Sequence, residues 1–246
     1  MANWNDPQPR AGFGASPSLD GTSSRSATYD AGLRRHMLSI YNYMASGVLL
    51  SGVVALLFAL SGIAGQVMAT PLRWVIALAP LGFVFAMSFG VQKMKASTLQ
   101  LLFWLFSVAM GLSLSAIFLV YTGPSIAVTF LATAASFAGL SLFGYTTKKD
   151  LSAMGTFLIM GVVGLVVAMV VNIFLQSNGL ALAISALGVL IFAGLTAWDT
   201  QRLKNEYEMV RGTEWAGKAV IMGALSLYLD FINMFQFLLT FLGDRR

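Results

Sequence analysis

The chain has 246 residues, 57% of them hydrophobic and 10% charged, with a formal net charge of +5. Soluble domains average about 25% charged residues, so this composition cannot cover a water-facing surface and indicates an integral membrane protein. There is no cysteine and one histidine, His36. That excludes a disulfide framework, thiolate metal sites, a cysteine nucleophile, multi-histidine zinc sites and a Ser-His-Asp arrangement of the usual kind.

Residues 1–33 are rich in Gly, Ser, Asp and Pro with almost no large aliphatics. They cannot bury enough surface to repay ordering, and are expected to form a flexible cytoplasmic tail. They lack the apolar core of a secretory signal, so insertion without cleavage is expected. Residues 34–246 are expected to form one transmembrane domain. From Tyr41 onward, apolar segments occupy 41–66, 73–92, 98–121, 125–146, 152–175, 179–202 and 218–242. Each is close to the ~20 residues a helix needs to cross ~30 Å of hydrocarbon, which predicts an all-α bundle of seven membrane helices. The last segment is interrupted by Asp230, Asn233 and Gln236, and a tilted or re-entrant path among the other helices stays open.

The net positive charge gathers at segment ends rather than on one phosphate-binding face, so nucleic acid is not an expected partner. If the tail is cytoplasmic, that side collects Arg10, Arg25, Arg34, Arg35, Lys93, Lys95, Lys148, Lys149, Arg202, Lys204, Arg211 and Lys218. The opposite side keeps only Arg73, Arg245 and Arg246. Twelve against three predicts a cytoplasmic N-terminus and, with seven crossings, an external C-terminus.

Two aspartates sit inside the apolar stretches. Asp199 lies in ISALGVLIFAGLTAWDTQRLK and Asp230 in GALSLYLDFINMFQFLLTFL. An ionised carboxylate at mid-membrane costs roughly 2.5–3.5 kcal/mol, so each must be neutral, paired, or facing water or a cation. Asp199 is placed near the cytoplasmic end, where Arg202 at i+3 could form an interfacial ion pair. Thr196, at i−3, continues a polar stripe into the membrane and favours a lined cavity. Asp230 is near the bilayer middle, with Ser226 at i−4 and Asn233 at i+3 on its face. It reads either as a hydrogen-bonded packing element or as one partner of a carboxyl pair facing Asp199.

Two such carboxyls brought together titrate as a unit and hold one proton between them. Losing that proton leaves two anions that repel unless a cation enters, so protons and cations compete for the site. Two aspartates supply at most four oxygens where Ca²⁺ takes six to eight, which suits transient passage better than storage. Lys93 and Lys95 end the second segment on the same side as Asp199, as interfacial anchors or, for either, as a latch on Asp199; Lys93 and Arg202 are the two candidate latch residues. No phosphate-cradling glycine loop and no HExxH motif occur. An intramembrane aspartyl protease is disfavoured because the GxGD context is missing around both aspartates, and no enzymatic activity and no cofactor are expected.

Taken in order, FGYTTKKDLSAMG (143–155), NIFLQS (172–177), LTAWDTQRLK (195–204) and SLYLDFINMFQFLL (226–239) resemble the transmembrane Bax inhibitor-1 motif family, in particular its bacterial branch. The resemblance spans residue 34 to the end. It implies a seven-helix bundle with the last helix central, in a bacterial inner membrane. It further implies a pH-sensitive Ca²⁺ leak whose sensor is an aspartate pair matching Asp199 and Asp230. In some members an arginine ending the second helix latches the sixth-helix aspartate; the nearest counterpart here is Lys93, which lacks the bidentate fork. The loop at 205–217, with Glu206, Glu208 and Glu214, is longer than in the best-understood relatives. The expected function is therefore cation passage with Ca²⁺ and protons as partners in a lipid bilayer. The alternative is a non-conducting membrane interaction protein that regulates a membrane protease or a stress response.

Overall fold

A computed structural model describes the backbone of residues 20–246 and the side chains from Tyr29 onward. The first nineteen residues, most of the expected tail, lie outside the described residues. Eight helices follow in chain order: α1 (Asp20–Leu60), α2 (Ile63–Met68), α3 (Leu72–Gly90), α4 (Ala96–Val120), α5 (Gly123–Thr146), α6 (Ser152–Leu175), α7 (Asn178–Val210) and α8 (Trp215–Leu242). Among the described residues there is no β-strand, only an isolated bridge between Tyr121 and Arg245. All but the six-residue α2 are long and apolar enough to cross a membrane, which makes this a multi-pass, all-α membrane protein. Their outer faces carry large apolar side chains such as Phe89, 81% exposed, and Phe174, 82% exposed, which only hydrocarbon can cover favourably.

The seven expected segments correspond to α1 and α3–α8, with three differences. Helix α1 begins at Asp20, so helix occupies the later part of what composition presents as tail. Leu33, Met37, Ile40, Met44 and Val48 recur at helical spacing and are all buried, so the packed part of α1 begins well before Tyr41. Helix α7 likewise continues past 202 to Val210, absorbing much of the expected loop. The two extensions support each other, since the Tyr207 ring packs against Tyr29 at 5.6 Å and His36 at 5.2 Å. The third difference is at the end of α1, where Gly62 adopts φ 74° and separates the short α2 from the first span.

Helix α8 runs unbroken through Asp230, Asn233 and Gln236, so it is not divided into half-helices. Asn233 Nδ2 donates to Leu229 O at 2.8 Å, returning its polar group to its own helix. Half of the most apolar window of α8 is buried, against 11% in α3 and α6, and it packs on α1, α4, α5 and α7. Tyr228 is its anchor. The ring is fully buried beside Phe103 and Phe106, and the hydroxyl bonds Ser51 Oγ at 2.6 Å.

Two close approaches set α7 between α5 and α6. Gly144 of α5 lies against the Ala197 backbone, and Gly155 of α6 lies under the Trp198 indole; a Cβ at either position would collide with its neighbour. Small residues at these crossings let the backbones approach, the usual device for helix association in lipid. Both crossings flank Asp199.

Candidate functional site

Residues 198–204 form two turns of α7 in which successive side chains tie the helix to different neighbours, because each step of 100° turns the side chain to a new face. Trp198 rests on Gly155 of α6. Thr200 Oγ1 is 2.9 Å from Ser141 Oγ on α5, and Ser141 Oγ is 2.5 Å from the Tyr41 hydroxyl on α1. Gln201 clamps the connection before α6: its Oε1 accepts from Leu151 N at 2.9 Å and its Nε2 donates to Lys149 O at 2.8 Å. Lys204 Nζ donates to Tyr145 O at 2.8 Å, at the orphaned carbonyl end of α5. The charged turn at 148–150 is thus held by the same stretch of α7 that carries the aspartate.

Asp199 projects from this stretch toward α8. Its Oδ2 accepts from Ser226 Oγ at 2.6 Å. Its Oδ1 lies 3.0 Å from Arg202 Nη2, an ion pair without hydrogen-bond geometry. Arg202 Nη2 also donates to Ser226 Oγ at 3.0 Å, so serine and arginine bond each other as well as the carboxylate. The guanidinium sits 4.8 Å over the Trp198 ring, a cation–π contact that fixes its plane. Arg202 remains 43% exposed on its side chain while Asp199 is 6% exposed, so the cation reaches inward from a wet edge.

Asp230 lies one turn beyond Ser226 on the same face of α8 and is 5% exposed. Its carboxyl neighbours that of Asp199 across the α7–α8 interface, and two carboxyls so placed titrate as a pair. Its Oδ2 has no hydrogen-bond partner among the described residues. Each carboxyl thus keeps one oxygen without a hydrogen bond, that of Asp199 facing the Arg202 charge. Among the described residues no three His, Cys, Asp or Glu side chains converge, so a cation here would depend on carbonyls or water to complete its shell.

A cavity of about 520 Å³ opens beside Arg202 between α6 and α7, walled by Trp198, Gln201, Asn205 and Glu206. Arg202 itself lines it.

The fold therefore brings Asp199, Asp230, Ser226 and Arg202 together. Thr196 is buried, but its Oγ1 donates to Phe192 O at 2.8 Å, so it closes its own helix rather than lining the carboxyl pair; Asn233 does the same on α8. Of the two candidate latches, the structure pairs Arg202 and not Lys93 with Asp199. Lys93 is exposed in the turn after α3. The α3 end is held instead by Lys218 of α8, which donates to Val91 O at 3.0 Å. Helical arithmetic places Arg202 within reach of Asp199. That it would also bond Ser226 across the interface is a property of α7 packing on α8.

Comparison with known proteins covers nearly all of the described chain. A family model described as inhibitor of apoptosis-promoting Bax1 matches residues 33–246. An uncharacterized protein of Rickettsia prowazekii is 45% identical over 92% of this chain and 96% of its own. One from Caulobacter vibrioides is 50% identical over 88% and 91% of the two chains. The inner membrane protein YbhL of Escherichia coli is 46% identical over 88% of this chain and 94% of its own length.

Proposed function

The chain belongs to the Bax inhibitor-1 family, and from that premise we propose that it is a pH-sensitive cation leak of a bacterial inner membrane, with Ca²⁺ as the permeant ion. The similarity to YbhL, named an inner membrane protein, supports the location. The N-terminus faces the cytoplasm in this reading, which puts the basic end and the cavity beside Arg202 on the cytoplasmic side.

The observation that carries the proposal is the placement of two buried aspartates, Asp199 and Asp230, on facing turns of α7 and α8, with Ser226 of α8 bonded to Asp199 and Arg202 paired with it. With one proton between them the pair bears one negative charge, which Arg202 balances, and α7 and α8 are drawn together at this point. Removal of the proton leaves two anions against one cation in a site of low dielectric. Repulsion then favours separation of the two helices or entry of a cation, with Asp230 offering its free oxygen. Protons and Ca²⁺ compete for the same charge. The alternating demands suit passage down a gradient, and no catalytic role is assigned to either aspartate.

The test is flux into dye-loaded vesicles containing the purified protein. Ca²⁺ entry is expected to depend on pH, and Asp199→Asn combined with Asp230→Asn to flatten that dependence. A double variant with an unaltered pH profile would sink the proposal. Absence of flux at every pH would sink it too, and would leave the aspartates as packing elements between α7 and α8.

A further inference from the structure

Helix α1 packs on α4 and α8, and α5 packs on α7 and α8. Between α1 and α5 the bundle is left open. A cavity of about 700 Å³ lies there, floored by Phe231 of α8 and bridged by the Tyr41–Ser141 hydrogen bond. It is kept open by small side chains, Ala45 on one wall with Ala134 and Ala138 on the other. Along α1 it runs from Arg34 to Leu49, about 22 Å at ~1.5 Å per residue, against ~15 Å for one leaflet of the hydrocarbon core. The rim residues Leu49 and Leu142 are 70% and 64% exposed, so the groove opens sideways to where lipid tails lie.

Its two ends differ. The deep end is wholly apolar. The other end carries Arg34, exposed at the mouth, with Tyr145 opposite and Lys204 over the Tyr145 ring at 5.0 Å. Lys148 and Lys149 follow immediately after α5. An apolar slot somewhat longer than one leaflet is deep, with cations at its interfacial mouth, is complementary to a hydrocarbon chain ending in an anionic headgroup.

We propose that the groove between α1 and α5 is a binding site for an anionic phospholipid, with an acyl chain along Ala45 and Ala138 and the phosphate on Arg34. The site is independent of cation passage, although Phe231 in its floor directly follows Asp230 in α8. A bound chain replaces the missing α1–α5 packing with dispersion contacts. The headgroup holds the cationic mouth closed.

The test is native mass spectrometry of the full chain in detergent, titrated with phosphatidylglycerol or phosphatidylcholine. One phosphatidylglycerol per chain is expected to survive delipidation, in preference to phosphatidylcholine. Arg34→Gln should reduce that preference about fivefold, the effect of one basic residue at a membrane surface. Ala138→Phe should fill the groove and lower lipid retention at least tenfold, with Ala45→Leu as a second filling variant should the first not fold. Equal retention of the two lipids by the parent chain, or undiminished retention in both filled variants, would overturn the proposal. So would a photo-crosslinker at position 138 that couples to residues 1–19 or to a second copy instead of to lipid.

Discussion

Replacing Gly144 by alanine tests whether the close contact between α5 and α7 positions the aspartate site. A Cβ there would meet the Ala197 carbonyl, with the carbonyl carbon at 2.8 Å and Ala197 Cα at 3.0 Å. Ordinary contact begins near 3.4 Å and the Ala197 oxygen lies closer still than its carbon, so the backbones must separate by well over half an ångström, and neither can rotate a side chain away. Overpacking of this kind costs about 1–3 kcal/mol. The better helix propensity of alanine returns about 0.5–1 kcal/mol. The displaced Thr200–Ser141 hydrogen bond adds about 0.6 kcal/mol, typical for one inside a membrane. The net expectation is a loss of about 0.6–3 kcal/mol, read as a fall of about 1–12 °C in thermal midpoint for a chain of this size. Gly139, five residues earlier on the same helix, has nothing within 4 Å of its would-be Cβ. Gly139→Ala should therefore leave the midpoint unchanged or raise it. Melting of both variants in one detergent, followed by tryptophan fluorescence, makes the comparison. Gly144→Ala as stable as Gly139→Ala would refute the role given to this crossing.

Ser226→Ala removes the 2.6 Å bond to Asp199 and the 3.0 Å bond from Arg202; a loss of about 0.6–1.7 kcal/mol is expected. A double-mutant cycle with Arg202→Gln should return a non-zero coupling, whereas additive losses would show the two bonds to be independent. Lys93→Gln should leave the pH profile of flux in vesicles unchanged while Arg202→Gln alters it; the reverse pattern would restore Lys93 as the latch. The cysteine-free chain allows single cysteines to be introduced at positions 148 and 245. Membrane-impermeant maleimide applied to whole cells should label only position 245, and labelling of position 148 instead would reverse the proposed orientation.

Much of the fold is legible in the sequence because a membrane helix is a local object. Its length and apolar content are set by a contiguous stretch, and the segment 152–175 coincides with α6 for that reason. The helix ends outside the hydrocarbon are less legible. The N-terminal part of α1 and the C-terminal part of α7 carry ordinary polar residues, and they are helical while Tyr29 and His36 pack on Tyr207. Composition records the polarity of each stretch but not their mutual support.

The aspartates divide in the same way. Sequence alone determined that Asp199 and Asp230 are buried in apolar surroundings and need partners, since the desolvation cost of a carboxylate follows from the twenty residues around it. Tertiary structure decided which partners they have. Ser226 meets Asp199 because α7 lies against α8, and Arg202 rather than Lys93 supplies the cation because Trp198, seated on Gly155, holds the guanidinium over the site. Thr196 and Asn233 share the helical faces that the spacing assigns them, yet bond to their own backbones. A one-dimensional pattern fixes direction on a helix. Distance between helices is set by the small residues at their crossings, and that distance determines whether two carboxyls can share a proton.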